Sequence, residues 1–216
     1  MKNLIAALIV LGAATGVQAQ SPAAIMDRAV KGYTDMRSMS ADFQQTLTNP
    51  LTGTTSVSRG VLLRKAPNLL SITFSSPRGD KVVSDGSTMW VYLPSSAPNQ
   101  VMKLPASGNS SMGMVDPGGL FLASPSLRYQ ISSGGNEKVG GRKTVVVNLV
   151  PRQANNAFSK AKVWVDAASN TIRQFEVVDA NGLMRRVTIS NVKTNPNIAA
   201  ASFRFTPPRG ARVIEN

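Results

Sequence analysis

The chain has 216 residues and carries neither histidine nor cysteine, with 24 Lys and Arg against 11 Asp and Glu for a formal net charge of +13. Without those two residue types there is no Ser-His-Asp triad, no thiol nucleophile, no disulfide and little means of holding zinc. The basic excess is dispersed, its longest runs being the pairs Arg64-Lys65, Arg142-Lys143 and Arg185-Arg186. That pattern argues against nucleic acid as a partner; attraction to an anionic membrane surface or an acidic partner stands beside a plain solvated basic surface.

Residues 1–19 read as a secretory signal peptide: Lys2 supplies a positive start, residues 4–16 an apolar run, and Val17-Gln18-Ala19 a small-residue cleavage site. The expectation is a secreted chain from residue 20 to 216, folded as one domain and unanchored, since no cysteine is present to take a lipid. No later run approaches the ~20 apolar residues a membrane-spanning helix needs.

Ser21-Pro22 is an N-cap followed by proline at the first helical position, and Ile25, Met26, Ala29, Val30, Tyr33 and Met36 follow at helical spacing. One amphipathic helix is expected there. From residue 41 the period shortens to two, giving strands over 43–47 and 56–63. Residues 64–94 carry the clearest signal. Leu70, Ile72 and Phe74 alternate with Ser71, Thr73 and Ser75, and Val82-Val83 leads through Asp85-Gly86, a tight-hairpin dipeptide, into a strand over 89–93.

A short strand over 100–104 precedes a Gly-, Ser- and Met-rich interruption over 105–125, where Leu120 and Phe121 suggest a short helix or packed loop acting as a lid. Strands resume over 127–131, 143–150, 161–165, 171–178 and 183–192, with Asn181-Gly182 as a second hairpin signal. The sum is a mainly β fold of about ten strands: a strongly curved antiparallel sheet or unclosed β-barrel, with a helical lid made by the N-terminal helix and short central helices.

Catalysis finds little support in this pattern, and no cofactor is implied. Asp80 and Asp85 fall where turns are expected. Ser159-Lys160-Ala161-Lys162 matches the S-x-x-K of penicillin-binding proteins, but residues 160–165 alternate as a strand, which points Ser159 and Lys162 to opposite faces. Containment fits better. Phe43, Leu63, Leu70, Ile72, Phe74, Val83, Met89 and Val91 are candidates for one concave apolar wall, an ordinary core being the alternative for each. Met26, Val30, Tyr33 and Met36 on the helix, with Leu120 and Phe121, are candidates for its cover; methionine adapts to ligands of varied shape, and equally fills ordinary cores.

These segments, in this order, resemble the periplasmic outer-membrane lipoprotein carriers of the LolA family. The likeness runs through the opening helix, Phe43-Gln44-Gln45, Ala66-Pro67-Asn68-Leu69, Val83-Ser84-Asp85-Gly86 with Met89-Trp90-Val91-Tyr92 and Pro94, Thr171-Ile172-Arg173-Gln174-Phe175, and the stretch from Phe203 to Gly210. It implies a monomeric, non-enzymatic carrier. Its apolar cavity takes the acyl chains of lipoproteins from an inner-membrane lipoprotein-releasing ABC transporter and passes them to an outer-membrane receptor. The family's basic residue before Pro-Asn-Leu, and the aromatic after it, are here Ala66 and Leu70. Arg64 shares strand parity with position 66 and is the candidate lid latch. A carrier of another lipid or glycolipid, and a lipoprotein-sensing interaction module, are the alternatives on the same fold.

Overall fold

A computed structural model describes residues 20–106, 124–153 and 158–215. It opens with α1 (Pro22–Thr34). Ser21 caps the helix, its Oγ accepting the Ala24 N–H at 3.2 Å, and Pro22 costs nothing in a first turn whose N–H groups have no intrahelical partner. The helix buries Ile25, Met26, Ala29 and Tyr33, one stripe at the predicted spacing.

The strands that follow are β1 (Ser38–Thr48), β2 (Thr55–Lys65), β3 (Leu69–Ser76), β4 (Lys81–Ser84), β5 (Thr88–Tyr92) and β6 (Gln100–Pro105). After the short helix α2 (Pro125–Arg128) come β7 (Tyr129–Val139), β8 (Arg142–Pro151), β9 (Lys160–Asp166), β10 (Ile172–Val178), β11 (Met184–Thr194) and β12 (Arg212–Glu215). They form one twelve-stranded sheet in the order β12-β6-β5-β4-β3-β2-β1-β11-β10-β9-β8-β7. Every pairing is antiparallel except β12 on β6. The outermost strands, β12 and β7, do not pair, so the barrel is unclosed.

Curvature comes from irregularities in the ladder, which bend a strand and increase its twist. The register shifts beside Gly60, where a Cβ would stand 2.1 Å from the Thr73 carbonyl oxygen and 2.9 Å from the Phe43 ring. Only glycine fits there. Phe43 lies across the gap and meets Phe74 edge to face, with ring centroids 5.3 Å apart. A second shift in β7 lies at Gly134-Gly135, with Gly135 at φ +84°. It carries β7 on to Val139, well beyond the expected 127–131, and residues 125–128 are helical rather than extended. The C-terminal β12 had no counterpart among the expected strands.

Both hairpin signals mark hairpins, with turn details that differ from the expected Asx-Gly pair. Asp85 and Thr88 close the first, so Gly86 and Ser87 are its central residues, and the positive φ falls on Gly86 alone, the pattern of a II′ turn. Asp85 accepts the Ser87 and Thr88 N–H groups, which hold its carboxyl below its ordinary pKa. In the second, Asp179 and Leu183 flank a three-residue loop that ends on Gly182 at φ +84°.

Candidate functional site

Residues directly opposite each other in a β ladder share a face, so the register defines the concave wall. One row runs Ala41, Leu62, Ile72, Val82, Val91. All five are buried and belong to a single apolar cluster with Phe43, Leu70, Phe74, Met89 and, from the other half of the sheet, Val147, Val163, Phe175, Val187 and Ile189. Six of the eight predicted wall residues are therefore on this face. Leu63 and Val83 are not. They lie one residue out of phase, on the convex side, in a groove shared with Tyr92 and Phe205 beneath the C-terminal segment. Their places are taken by Leu62 and Val82. The sequence pairs Leu62-Leu63 and Val82-Val83 are apolar at both parities, and only the register with Ile72 distinguishes them.

The stretch from Phe203 to Gly210 supplies that convex cover. Phe205 packs against Trp90 and Tyr92, each ring pair 5.9 Å apart. Thus the two sides of β3–β5 are dry for different reasons: the main cluster fills one, and an aromatic strap covers the other.

The helix α1 lies over the concave face. Met26 and Tyr33 are buried within the cluster, and Val30 and Met36 pack against its edge. Leu120 and Phe121 lie outside the described residues. Between the C-terminal half of α1, the starts of β1 and β10 and the end of β11 is a cleft with a volume of about 130 Å³. Gly32, Tyr33, Met36, Met39, Ile172, Ile189 and Val192 line it, with Ser169, Asn170 and Thr194 at its polar margin. A helical glycine without a neighbour within 4 Å of its missing Cβ contributes to that space at Gly32.

Arg64 joins this cover to the wall. It stands opposite Met39 and Leu70, on the concave face. Its Nη1 donates to the carbonyl oxygens of Tyr33 and Met36, both at 3.3 Å, and its guanidinium carbon sits 4.4 Å from the Tyr33 ring centroid. A cation at the C-terminal end of α1 meets the negative end of the helix dipole, sharing the Tyr33 carbonyl with the Met36 N–H. Arg64 therefore ties the end of the cover to the rim of the wall.

Other polar groups serve the frame. Asp166 is 1% exposed and accepts from Arg142, Arg173 and the N–H groups of Ala168 and Ser169. The Arg142 hydrogen bond is the main cause that holds its carboxyl well below the usual carboxylate range. Ser159 donates its hydroxyl to the carbonyls of Val178 and Asp179, and Asp80 accepts from Ser95. Among the described residues no group of three or more Asp and Glu is placed to hold a metal ion, and no helix is long and apolar enough to cross a membrane.

The architecture defines a class: an unclosed antiparallel β-barrel with an apolar concave face and a helix tied across it. Residues 34–206 match the family model described as outer membrane lipoprotein carrier protein LolA, and the chain belongs to that family. Among similar proteins, the outer-membrane lipoprotein carrier protein of Serratia proteamaculans is 29% identical, covering 99% of this chain and 98% of its own. That of Methylibium petroleiphilum is 30% identical, over 86% and 87%. Two solved structures share the fold. An uncharacterized conserved protein from Thermus thermophilus has a TM-score of 0.54 and 16% identity, covering 91% of this chain and all of its own. MucB has a TM-score of 0.51 and 15% identity, over 86% of this chain and 62% of its own.

Proposed function

We propose that the protein is a non-enzymatic periplasmic carrier of lipoproteins, holding their acyl chains against the concave face beneath α1. The observation that supports this most directly is the combination of a continuous apolar wall with a cover fastened at its end by Arg64. An ordinary core has no use for a separable lid, whereas a carrier needs one. Each CH₂ of an acyl chain gains ~0.8 kcal/mol on leaving water, so a multiply acylated protein crosses an aqueous compartment only with its chains shielded.

The cleft beside Met36 and Met39 is the entry point on this reading, and the cluster from Phe43 to Val91 is the closed form of the cavity. Release of the Arg64 contacts frees α1 to move off the apolar cluster and exposes its concave residues to acyl chains. Binding and release are then one equilibrium between a closed lid and an occupied cavity. The cargo comes from an inner-membrane lipoprotein-releasing ABC transporter and goes to an outer-membrane receptor, with the carrier acting as a monomer. Depletion in the native cell tests this: lipoproteins retained at the inner membrane support the carrier role, and unaltered sorting contradicts it.

A further inference from the structure

The concave face carries two polar groups that its apolar neighbours leave without partners. Arg185 lies on β11 opposite Leu47 of β1 and Val177 of β10, in phase with Val187 and Ile189 of the buried cluster. Its Nε is fully covered and has no hydrogen-bond partner. Asp179 attracts it electrostatically, and burial draws its pKa down. That carboxylate is already engaged, since its Oδ1 accepts the N–H groups of Asn181 and Leu183.

Gln45 stands opposite Val187, which makes it the diagonal neighbour of Arg185 across the β1–β11 pair. Its Oε1 is likewise buried and unpartnered, while its Nε2 donates to Ser58 at 3.4 Å. Leaving a buried donor and a buried acceptor unmet is costly, and native structures rarely do so without a reason. Both groups sit on the face that the proposed cargo would occupy. Ile189, in the cleft under α1, is four residues along the same strand from Arg185, ~13 Å at ~3.3 Å per residue.

We propose that Arg185, with Gln45 beside it, is the polar recognition point of the apolar face, hydrogen-bonding the oxygen acceptors at the head of an acyl lipid whose tails lie along the trough toward Ile189. The acceptors are ester or amide carbonyls of an acylated lipoprotein, or the phosphate of a phospholipid. The inference rests on the carrier reading above and adds an orientation to it: tails toward the α1 cleft, head toward the loop between β10 and β11. A wholly apolar trough would take any chain in either direction; a fixed donor at one end makes one direction preferred.

The test compares three probes on the full chain and on Arg185→Met, which keeps the apolar stem and removes the unmet donor. The probes are an S-diacylglyceryl lipopeptide, a short-chain phosphatidylglycerol, and N-phenyl-1-naphthylamine, an apolar dye without an oxygen acceptor. The expected result is lipopeptide binding weakened about tenfold, unchanged dye binding, and a melting temperature equal to or above that of the parent. Loss confined to phosphatidylglycerol would assign the same site to phosphate and count against lipoprotein as cargo. Equal affinities of parent and variant for all three probes, or an equal loss on all three, would overturn the inference. Should the variant fold poorly, Gln45→Leu carries the same comparison and the same outcomes. If the parent chain binds none of the probes, the carrier reading fails before Arg185 is reached.

Discussion

Arg64→Leu is the most informative single substitution, because it removes the guanidinium and keeps much of the apolar stem that packs beside Met39. One Nη1 serves both the Tyr33 and Met36 carbonyls at 3.3 Å, the long end of the N–H···O range, so the pair counts as one charge-assisted bond of about 1.5 kcal/mol. The guanidinium over the Tyr33 ring at 4.4 Å adds about 0.5 kcal/mol at a half-buried site. Together they hold the end of α1 by about 2 kcal/mol, a factor of about 30 in the population of the open lid. Hydrogen exchange reads this directly. Amide protection in the second half of α1 should fall about 30-fold in Arg64→Leu, while the amides of β8 and β9 keep theirs. Affinity for an acyl probe should rise by up to the same factor, since the closed state competes with the ligand. Unchanged α1 protection, or an equal loss throughout the sheet, would show that Arg64 is not a latch.

Three further outcomes separate the roles of the cleft, the frame and the wall. Gly32→Leu should stabilise α1 by about 0.5–1 kcal/mol, since a helical glycine is replaced where space is open, and yet weaken acyl-probe binding by filling the cleft; thermal melts and probe titration check the two opposite signs. Gly60→Ala should cost about 2–3 kcal/mol in urea unfolding, because its Cβ would overlap the Thr73 carbonyl and press on Phe43 and the Phe74 backbone. Asp166→Asn should lower stability at neutral pH by leaving Arg142 and Arg173 without their shared carboxylate. The carboxyl's folded pKa lies below its unfolded value of about 3.9, so this stabilisation is complete above pH ~5 and is lost progressively as pH falls through ~4 toward the folded value. Urea midpoints against pH should drop more steeply below pH ~5 in the parent than in the variant, and parallel curves would refute the assignment.

The helix and most of the strands were legible because their signals are local. Ser21-Pro22 sets a start, Ile25 to Tyr33 hold a 3.6-residue period, and Leu70, Ile72 and Phe74 alternate with polar neighbours. The face of β2 and β4 was not legible, since Leu62-Leu63 and Val82-Val83 are apolar at both parities and cross-strand register alone selects one. The outer part of β7 was hidden for the opposite reason: Ser132 to Lys138 carries no apolar residue, because both faces of that strand are exposed there. Arg64 was reached through the family resemblance, with strand parity choosing it, whereas the carbonyls it meets depend on where α1 ends. Arg185 drew notice in the sequence only as half of a basic pair. Its unmet Nε becomes visible when β11 is paired with β1 and its side chain is found on the apolar face.

The central claim is that the concave face carries acyl chains attached to protein. Mass spectrometry of the protein isolated from the periplasm without detergent addresses it most directly. The account predicts co-purifying acylated lipoproteins, depleted when Gly32→Leu closes the cleft. Free phospholipid in their place, or no lipid at all from a folded protein, would contradict it.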